Sequence, residues 1–399
     1  MKQNFPSYEE TLQTLKSTIT PWERVEKVAI TDALDRHIAF DVIAADNYPA
    51  RATSAMDGYA FAWSDDLTEL TPLADLPAGS DKGIVVGHGE CVKTFTGSLM
   101  SEGTDTLVPV ENVEIAGGKI IIKTPVKKGF AVREVGESYK KGEILIKRGT
   151  RLNYGEIALL AELGLFHISV FVRPKVAILA TGSEIKDLGE PLLNAAQIHS
   201  SNHIGIAAIV RKMGAEPMLC EIVRDEADAV KTAMLNALKT ADILVTTGGV
   251  SMGDYDFVKG ALGENFTLII TGAAIKPGRH IKVAKAGERY VFALPGFPYT
   301  AMVTCALYVR VLVEAWLGQE QHILTAIMDE GYKKRSPFLE FTAVNLTSRE
   351  GKNFVNLNGK RLGSSAIVNN LLNDAALLII PQEKDFLAKG EVVEVLKMV

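Results

Sequence analysis

The 399-residue chain has little cysteine, few aromatic residues (7%) and no surplus of positive charge. Its three cysteines, Cys91, Cys220 and Cys305, stand far apart and form no CxxC pair. That excludes a disulfide framework and a thiolate zinc site and fits a reducing compartment. Lys and Arg number 43 against 48 Asp and Glu, a net charge of −5. A broad nucleic-acid-binding face is therefore excluded, and an anionic ligand has to be met by a local cluster of cations. Long hydrophobic runs are missing too. The most membrane-like stretch, Thr300 to Trp316, is interrupted by Arg310 and Glu314, and the opening residues are polar from the start. These absences point to a cytoplasmic protein with neither nucleic acid nor membrane among its partners.

What remains is an ordinary globular composition, 47% hydrophobic and 23% charged, long enough for several domains. Leu12, Leu15 and Ile19 share a helical face, with Ser7 as N-cap, Glu10 three residues on, and Pro21 as a stop. From Asp46 to Tyr139 the texture is short β-like runs, such as Gly83–Val86 and Lys119–Ile122, between Gly, Pro and Asp turns. This is a β-rich module. After a helical stretch at Asn153–Leu163, strand and helix signals alternate, as in an open, mostly parallel α/β sheet. Val176–Ala180, Met218–Val223, Ile243–Thr247 and Tyr290–Leu294 read as strands. Asn202–Met213, Glu226–Leu238 and Tyr299–Leu317 read as helices. Beyond Gln319 the pattern turns β-like again, with strands expected at Phe341–Leu346 and Val392–Leu396.

Ligands of open α/β sheets sit at the carboxyl ends of strands, so the residues after each strand come first. Thr181-Gly182-Ser183-Glu184 follows one strand, and Gly248-Gly249-Val250-Ser251 with Asp254 and Asp256 follows another. Two glycine turns can present backbone N–H groups to a phosphate, while Glu184 and Asp256 can hold a magnesium ion that bridges it. The plainer reading is a tight turn with acids that complement helix dipoles. Against it stands Lys276-Pro277-Gly278-Arg279-His280, two fixed positive charges on a rigid turn of an acidic protein, with Leu294-Pro295-Gly296-Phe297-Pro298 further on. Cations, glycines and carboxylates together suit a magnesium–phosphate or oxyanion site. Asp57-Gly58 reads locally as a turn. His199 and His203 have helical i, i+4 metal-pair spacing, but no third ligand accompanies them, and helix initiation at Ser201 or Asn202 is the better reading.

Together these clusters resemble the MoeA family of molybdopterin molybdenumtransferases, to which the E domain of gephyrin is related. The match rests on five separated motifs. They are Ser54 to Ala60; Phe95 to Ser98 with Gly103 to Glu111; Ala180 to Glu184; Thr247 to Ser251 with Asp256; and Lys276 to Gly278 with Leu294 to Gly296. The resemblance implies a multidomain α/β plus β protein. Its parts would be an elongated linking domain (1–45 with 140–172), the β-rich module (46–139), an α/β domain similar to molybdopterin adenylyltransferases (173–318), and a C-terminal β-barrel (319–399).

It further implies a homodimer, with the cleft between the α/β domain of one subunit and the β-rich module of the other, which gives Asp57 a catalytic role. The implied reaction inserts molybdate into adenylated molybdopterin (molybdopterin-AMP) with magnesium and releases AMP. Glu184 and Asp256 would serve magnesium or the attacking oxygen, Gly248, Gly249 and Ser251 the phosphate, and Lys276 and Arg279 the phosphate or molybdate charge. Thr96, Arg133 and Asp225 would complete the binding set. A molybdopterin adenylyltransferase and acceptor molybdoenzymes would be partners.

The chain departs from the family pattern at Ser138 and Ser200, each in place of Asp, and at Arg279 in place of Lys. It departs again at Phe297 in place of Asn, Thr300 in place of Ser, and Thr342 in place of a cation. Two other readings follow: a non-catalytic molybdopterin-binding or scaffold paralogue, which would bind without releasing AMP, and an adenylyltransferase, which would consume ATP.

Overall fold

The computed structural model describes residues 5–248, 266–319 and 323–398. The chain separates into two compact units, Met1–Ala39 with Gly149–Val399, and Phe40–Arg148.

The larger unit holds a six-stranded sheet in the order Glu216–Leu219, Lys175–Ala180, Ile243–Thr247, Arg289–Leu294, Lys282–Ala286, Thr267–Ile270. The first four strands are parallel and the last two antiparallel. Both faces of the three inner parallel strands are buried, which is why these segments read as continuous apolar runs. Val176, Ile178, Ile243 and Val245 pack among residues of the helices Ser201–Lys212 and Pro298–Leu317, while Ala177, Leu179 and Leu244 meet Val230, Met234 and Leu238 of Ala227–Thr240. The apolar segment Pro298–Leu317 is thus a core helix, 94% buried over its most hydrophobic window, and Arg310 pairs with Glu314 within it. It is not uniform, since Cys305–Val309 forms a π-helical turn. One expected strand shifts. Met218–Val223 is observed as Glu216–Leu219, after which only Val223 rejoins, through a single bridge to Thr181.

The helix Tyr8–Ser17 starts with the expected capping box, Glu10 N donating to Ser7 Oγ at 3.1 Å and Ser7 N to Glu10 Oε2 at 2.7 Å. It buries Leu15 in the same core. A second capping box, Asn153 with Glu156, opens the helix Tyr154–Glu162.

Downstream, five strands close on themselves into a barrel: Leu339–Arg349, Lys352–Asn356, Ile323–Met328, Val392–Lys397, Ala376–Ile380, and back to Leu339–Arg349. Closure removes the sheet edges. One short strand from upstream, Ile275–Lys276, pairs in parallel with Leu339–Glu340, so the Lys276 turn is anchored to the barrel.

The smaller unit is built on a second six-stranded sheet in the order Thr106–Pro109, Gly58–Phe61, Glu90–Thr94, Glu69–Leu76, Lys119–Ile122, Val113–Ala116. Gly83–Val86, expected as a strand, is not one. Val85 makes a lone bridge to Glu102, because the partner chain turns at Gly103 (φ +86°) and offers no further residues to pair.

Candidate functional site

The sheet order places a topological switch point between Lys175–Ala180 and Ile243–Thr247, since the next strand after Lys175–Ala180 lies on its other side. Loops diverge there and leave a crevice at the carboxyl ends. The two glycine turns meet in it. Gly248, at φ +95°, leaves no room for a side chain, as an added Cβ would lie 2.9 Å from the Thr181 carbonyl oxygen. Its N–H donates to Leu294 O at 3.2 Å, joining the turn to the neighbouring strand end.

The resulting cavity of about 520 Å³ is lined by Thr181, Glu184, Ser200, Asn202, Thr247 and Gly248, with His199, His280, Pro295 and Phe297 among others. Glu184 is exposed to it, and Asp225 stands behind the turn, accepting from Ser183 N at 3.4 Å. Gly249, Ser251 and Asp256 lie outside the described residues. The helix Ser201–Lys212 starts at this cavity, as expected for a phosphate site, but Ser200 at its N-cap makes no side-chain capping bond. His199 belongs to a short strand and His203 to the helix, where its Nε2 lies 2.8 Å from Ile178 O in the core, so the pair does not share the helical spacing that a metal would need.

An adjoining cavity of about 380 Å³ contains Lys276, Arg279, Thr300 and Thr342, and it shares His280, Pro295 and Phe297 with the first. Lys276 Nζ donates to Arg335 O at 3.2 Å and lies 3.5 Å from Glu340 Oε2. Glu340 is 2% exposed and also accepts from Tyr332 OH at 2.5 Å and Thr342 Oγ1 at 3.0 Å. Burial, then the bond to Glu340, pushes the Tyr332 phenol up to about 12, which keeps it a donor. The Arg279 guanidinium stacks over the Phe338 ring at 4.3 Å. Burial, then Arg279 and Lys282, lowers the His280 pKa below the usual imidazole value. Neither Glu340 nor Tyr332 was legible as part of the site. The available signal was a lone acid in the apolar run from Leu339 to Val344.

In the smaller unit, Asp57 Oδ1 accepts from both the backbone N and the Oγ1 of Thr96, at 2.8 and 2.9 Å. Those bonds, the backbone one first, hold the Asp57 carboxyl below the ordinary range. Arg133 pairs in register with Thr53, near the same loop, and donates to Glu137 Oε1 at 2.9 Å and Ser138 Oγ at 2.8 Å. Asp57 and Thr96 are thus in direct contact, while Arg133 lies on a separate two-stranded pairing with Thr53–Ser54.

Among the described residues no cluster of three or more His, Cys, Asp or Glu is placed to hold a metal unaided. Magnesium does not require one, because it keeps several waters and is bound through one or two carboxylates plus substrate phosphates. The exposed Glu184 carboxylate beside the glycine turns fits that donor set.

Residues 6–164 match a family profile described as the MoeA N-terminal region (domain I and II), and residues 177–315 one described as a probable molybdopterin binding domain. The chain is 31% identical to a molybdopterin molybdenumtransferase of Bacillus subtilis, over 93% of this chain and 89% of that one. It is 29% identical to one of Haemophilus influenzae, over 93% of each. The solved structure of a molybdopterin biosynthesis moeA protein from Pyrococcus horikoshii superposes with a TM-score of 0.84 at 28% identity, covering 99% of this chain and all of that one.

Proposed function

Given that the chain belongs to the MoeA family of molybdopterin molybdenumtransferases, transferases of molybdenum cofactor biosynthesis, we propose that it inserts molybdate into adenylated molybdopterin with magnesium and releases AMP. The observation that carries this reading is the pair of adjoining cavities. One has a glycine turn and a carboxylate for a phosphoanhydride, and the other has Lys276 and Arg279 for an oxyanion, with a common wall between them.

In the larger cavity the Gly248 turn lets the backbone come close to a phosphate, and Glu184 is the residue that would hold magnesium. Magnesium held there would supply charge neutralisation at the phosphoanhydride. The family resemblance implies phosphate contacts for Gly249 and Ser251 and a second carboxylate in Asp256, and Asp225 orients the Ser183 turn. In the smaller cavity Lys276 and Arg279 offer charge-assisted donors to molybdate, and Glu340 holds the Lys276 ammonium in place. In the proposed homodimer, Asp57, with Thr96 fixing its carboxylate, and Arg133 would be supplied by the β-rich module of the other subunit. The working form is a cytoplasmic homodimer in four domains, with edges near 45, 139, 172 and 318. It takes substrate from a molybdopterin adenylyltransferase and passes product to acceptor molybdoenzymes.

Ser200, a neutral hydroxyl where the family resemblance implies Asp, favours a second reading, a molybdopterin-binding paralogue without turnover. AMP release from adenylated molybdopterin, with magnesium and molybdate titrated separately, decides between them. Molybdate-dependent release that is lost in Asp57→Ala and Asp256→Ala supports the transferase. Tight binding without release establishes the paralogue.

A further inference from the structure

A large apolar side chain in a cavity wall normally turns inward, and Phe297 does not: it is 61% exposed and lines both cavities. Its backbone is firmly held. The Gly296 carbonyl accepts from Asn202 Nδ2 at 2.7 Å, and the Phe297 carbonyl accepts from Ala301 N at 2.9 Å. Phe297 is the N-cap of the helix Pro298–Thr304, and the proline that follows confines it to extended backbone, φ −66° and ψ 131°. The backbone that carries the ring is thus fixed before a ligand arrives.

Facing the same 520 Å³ cavity are three residues with a buried polar atom that has no hydrogen-bond partner: Ser200 Oγ, Asn202 Oδ1 and Thr247 Oγ1. The residues are 3%, 8% and 1% exposed. Buried polar atoms are nearly always paired, so three unpaired ones on residues that line one cavity are the side chains to turn toward a ligand's donors and acceptors. A purely apolar ligand would leave all three unsatisfied. A bare phosphate would leave the Phe297 ring face unused. A flat ring with a polar edge uses both.

We propose that Phe297 is a stacking residue for a fused nitrogen heterocycle, whose edge is met by Ser200, Asn202 and Thr247. Ring faces attract in offset stacks, and stacking tolerates any ring of this class. The proposal rests on the function given above, whose substrate has two such rings, a pterin and an adenine. The subsite takes one of them.

The test titrates the full chain with AMP, with 6-hydroxymethylpterin, and with ribose 5-phosphate, which has no aromatic base. Phe297→Leu keeps an apolar side chain and removes the ring, while Phe297→Tyr keeps it. The expected result is about tenfold weaker binding of one ring probe by Phe297→Leu, with near wild-type binding by Phe297→Tyr and ribose 5-phosphate unaffected. Which probe responds identifies the ring, and unchanged thermal unfolding excludes a folding defect. Ring-probe affinities within twofold of wild type in Phe297→Leu, or no binding of either probe by the wild type, overturn the proposal. AMP release separates the two claims. A wild type that turns over with unchanged ring affinity in Phe297→Leu sinks the stacking role alone. One that binds rings through Phe297 without releasing AMP sinks the transferase alone.

Discussion

Asp57 illustrates how little a single residue's neighbours in sequence reveal about its role. Followed by glycine, it has the local chemistry of a turn, and Gly58 is needed for packing, because a Cβ there would sit 2.3 Å from the Val108 carbonyl oxygen. What distinguishes Asp57 comes from Thr96, whose two donors keep the carboxylate ionised to lower pH than an ordinary aspartate. With the folded pKa depressed, whatever these bonds contribute to stability is present above the unfolded carboxylate pKa and is lost as pH falls through the folded one. Thr96→Val deletes the hydroxyl donor and leaves the backbone N–H. The Asp57 pKa is expected to move up toward the ordinary range in a carboxyl-carbon NMR titration, and a pKa that stays put would mean that the backbone bond alone sets it. Glu340 carries the same lesson. It is far from Lys276 in sequence and sits beside it only because Ile275–Lys276 pairs with Leu339–Glu340.

At the scale of elements, the strand ends are where conformation and ligand chemistry coincide. The turn at Gly248 combines a left-handed backbone with a close approach to Thr181, so Gly248→Ala incurs strain and a clash together. It is expected to lower stability by about 1–3 kcal/mol and to weaken nucleotide binding. Denaturant melts and AMP titration check this, and a variant as stable as the wild type would show that the turn can relax. Periodicity located most helices within a few residues, because capping chemistry and the spacing of apolar residues are local signals. It could not register the π-helical turn at Cys305–Val309, since one extra residue per turn leaves an all-apolar run looking the same. The Gly83–Val86 run failed as a strand for a related reason. Its composition was suitable, and whether a partner ran alongside was not a property of those four residues.

Across the larger unit, a buried histidine couples stability to pH. His37 is 2% exposed, hydrogen-bonded to Gln319, and its pKa is lowered to about 4 by burial first and then by Arg151, Arg173 and Arg36. In the unfolded chain it titrates near 6.5, so between about 4 and 6.5 the unfolded state binds more protons. Its penalty is absent above that window and grows as pH falls through it, reaching on the order of 3 kcal/mol. His37→Gln is expected to flatten this part of the stability–pH curve in melts of the full chain. An unchanged slope would assign the acid sensitivity to carboxylates. The same scale decides the cofactor chemistry, because the switch point between Lys175–Ala180 and Ile243–Thr247 depends on the order in which strands assemble.

The sequence by itself determined which motifs exist and in what order, the alternation of α and β in the middle of the chain, the capping box at Ser7, and the family to which these belong. Each is written in residues a few positions apart, where glycine and proline dihedrals, caps and periodicity act directly. Only the tertiary structure decided that Thr181 and Gly248 share a crevice, that the barrel closes through Leu339–Arg349, and that Glu340 holds Lys276. It alone decided that Ser200, Asn202 and Thr247 are left unpaired opposite an exposed Phe297. Those facts are contacts between segments distant in sequence, fixed by which buried faces pack together, and no local pattern encodes that choice.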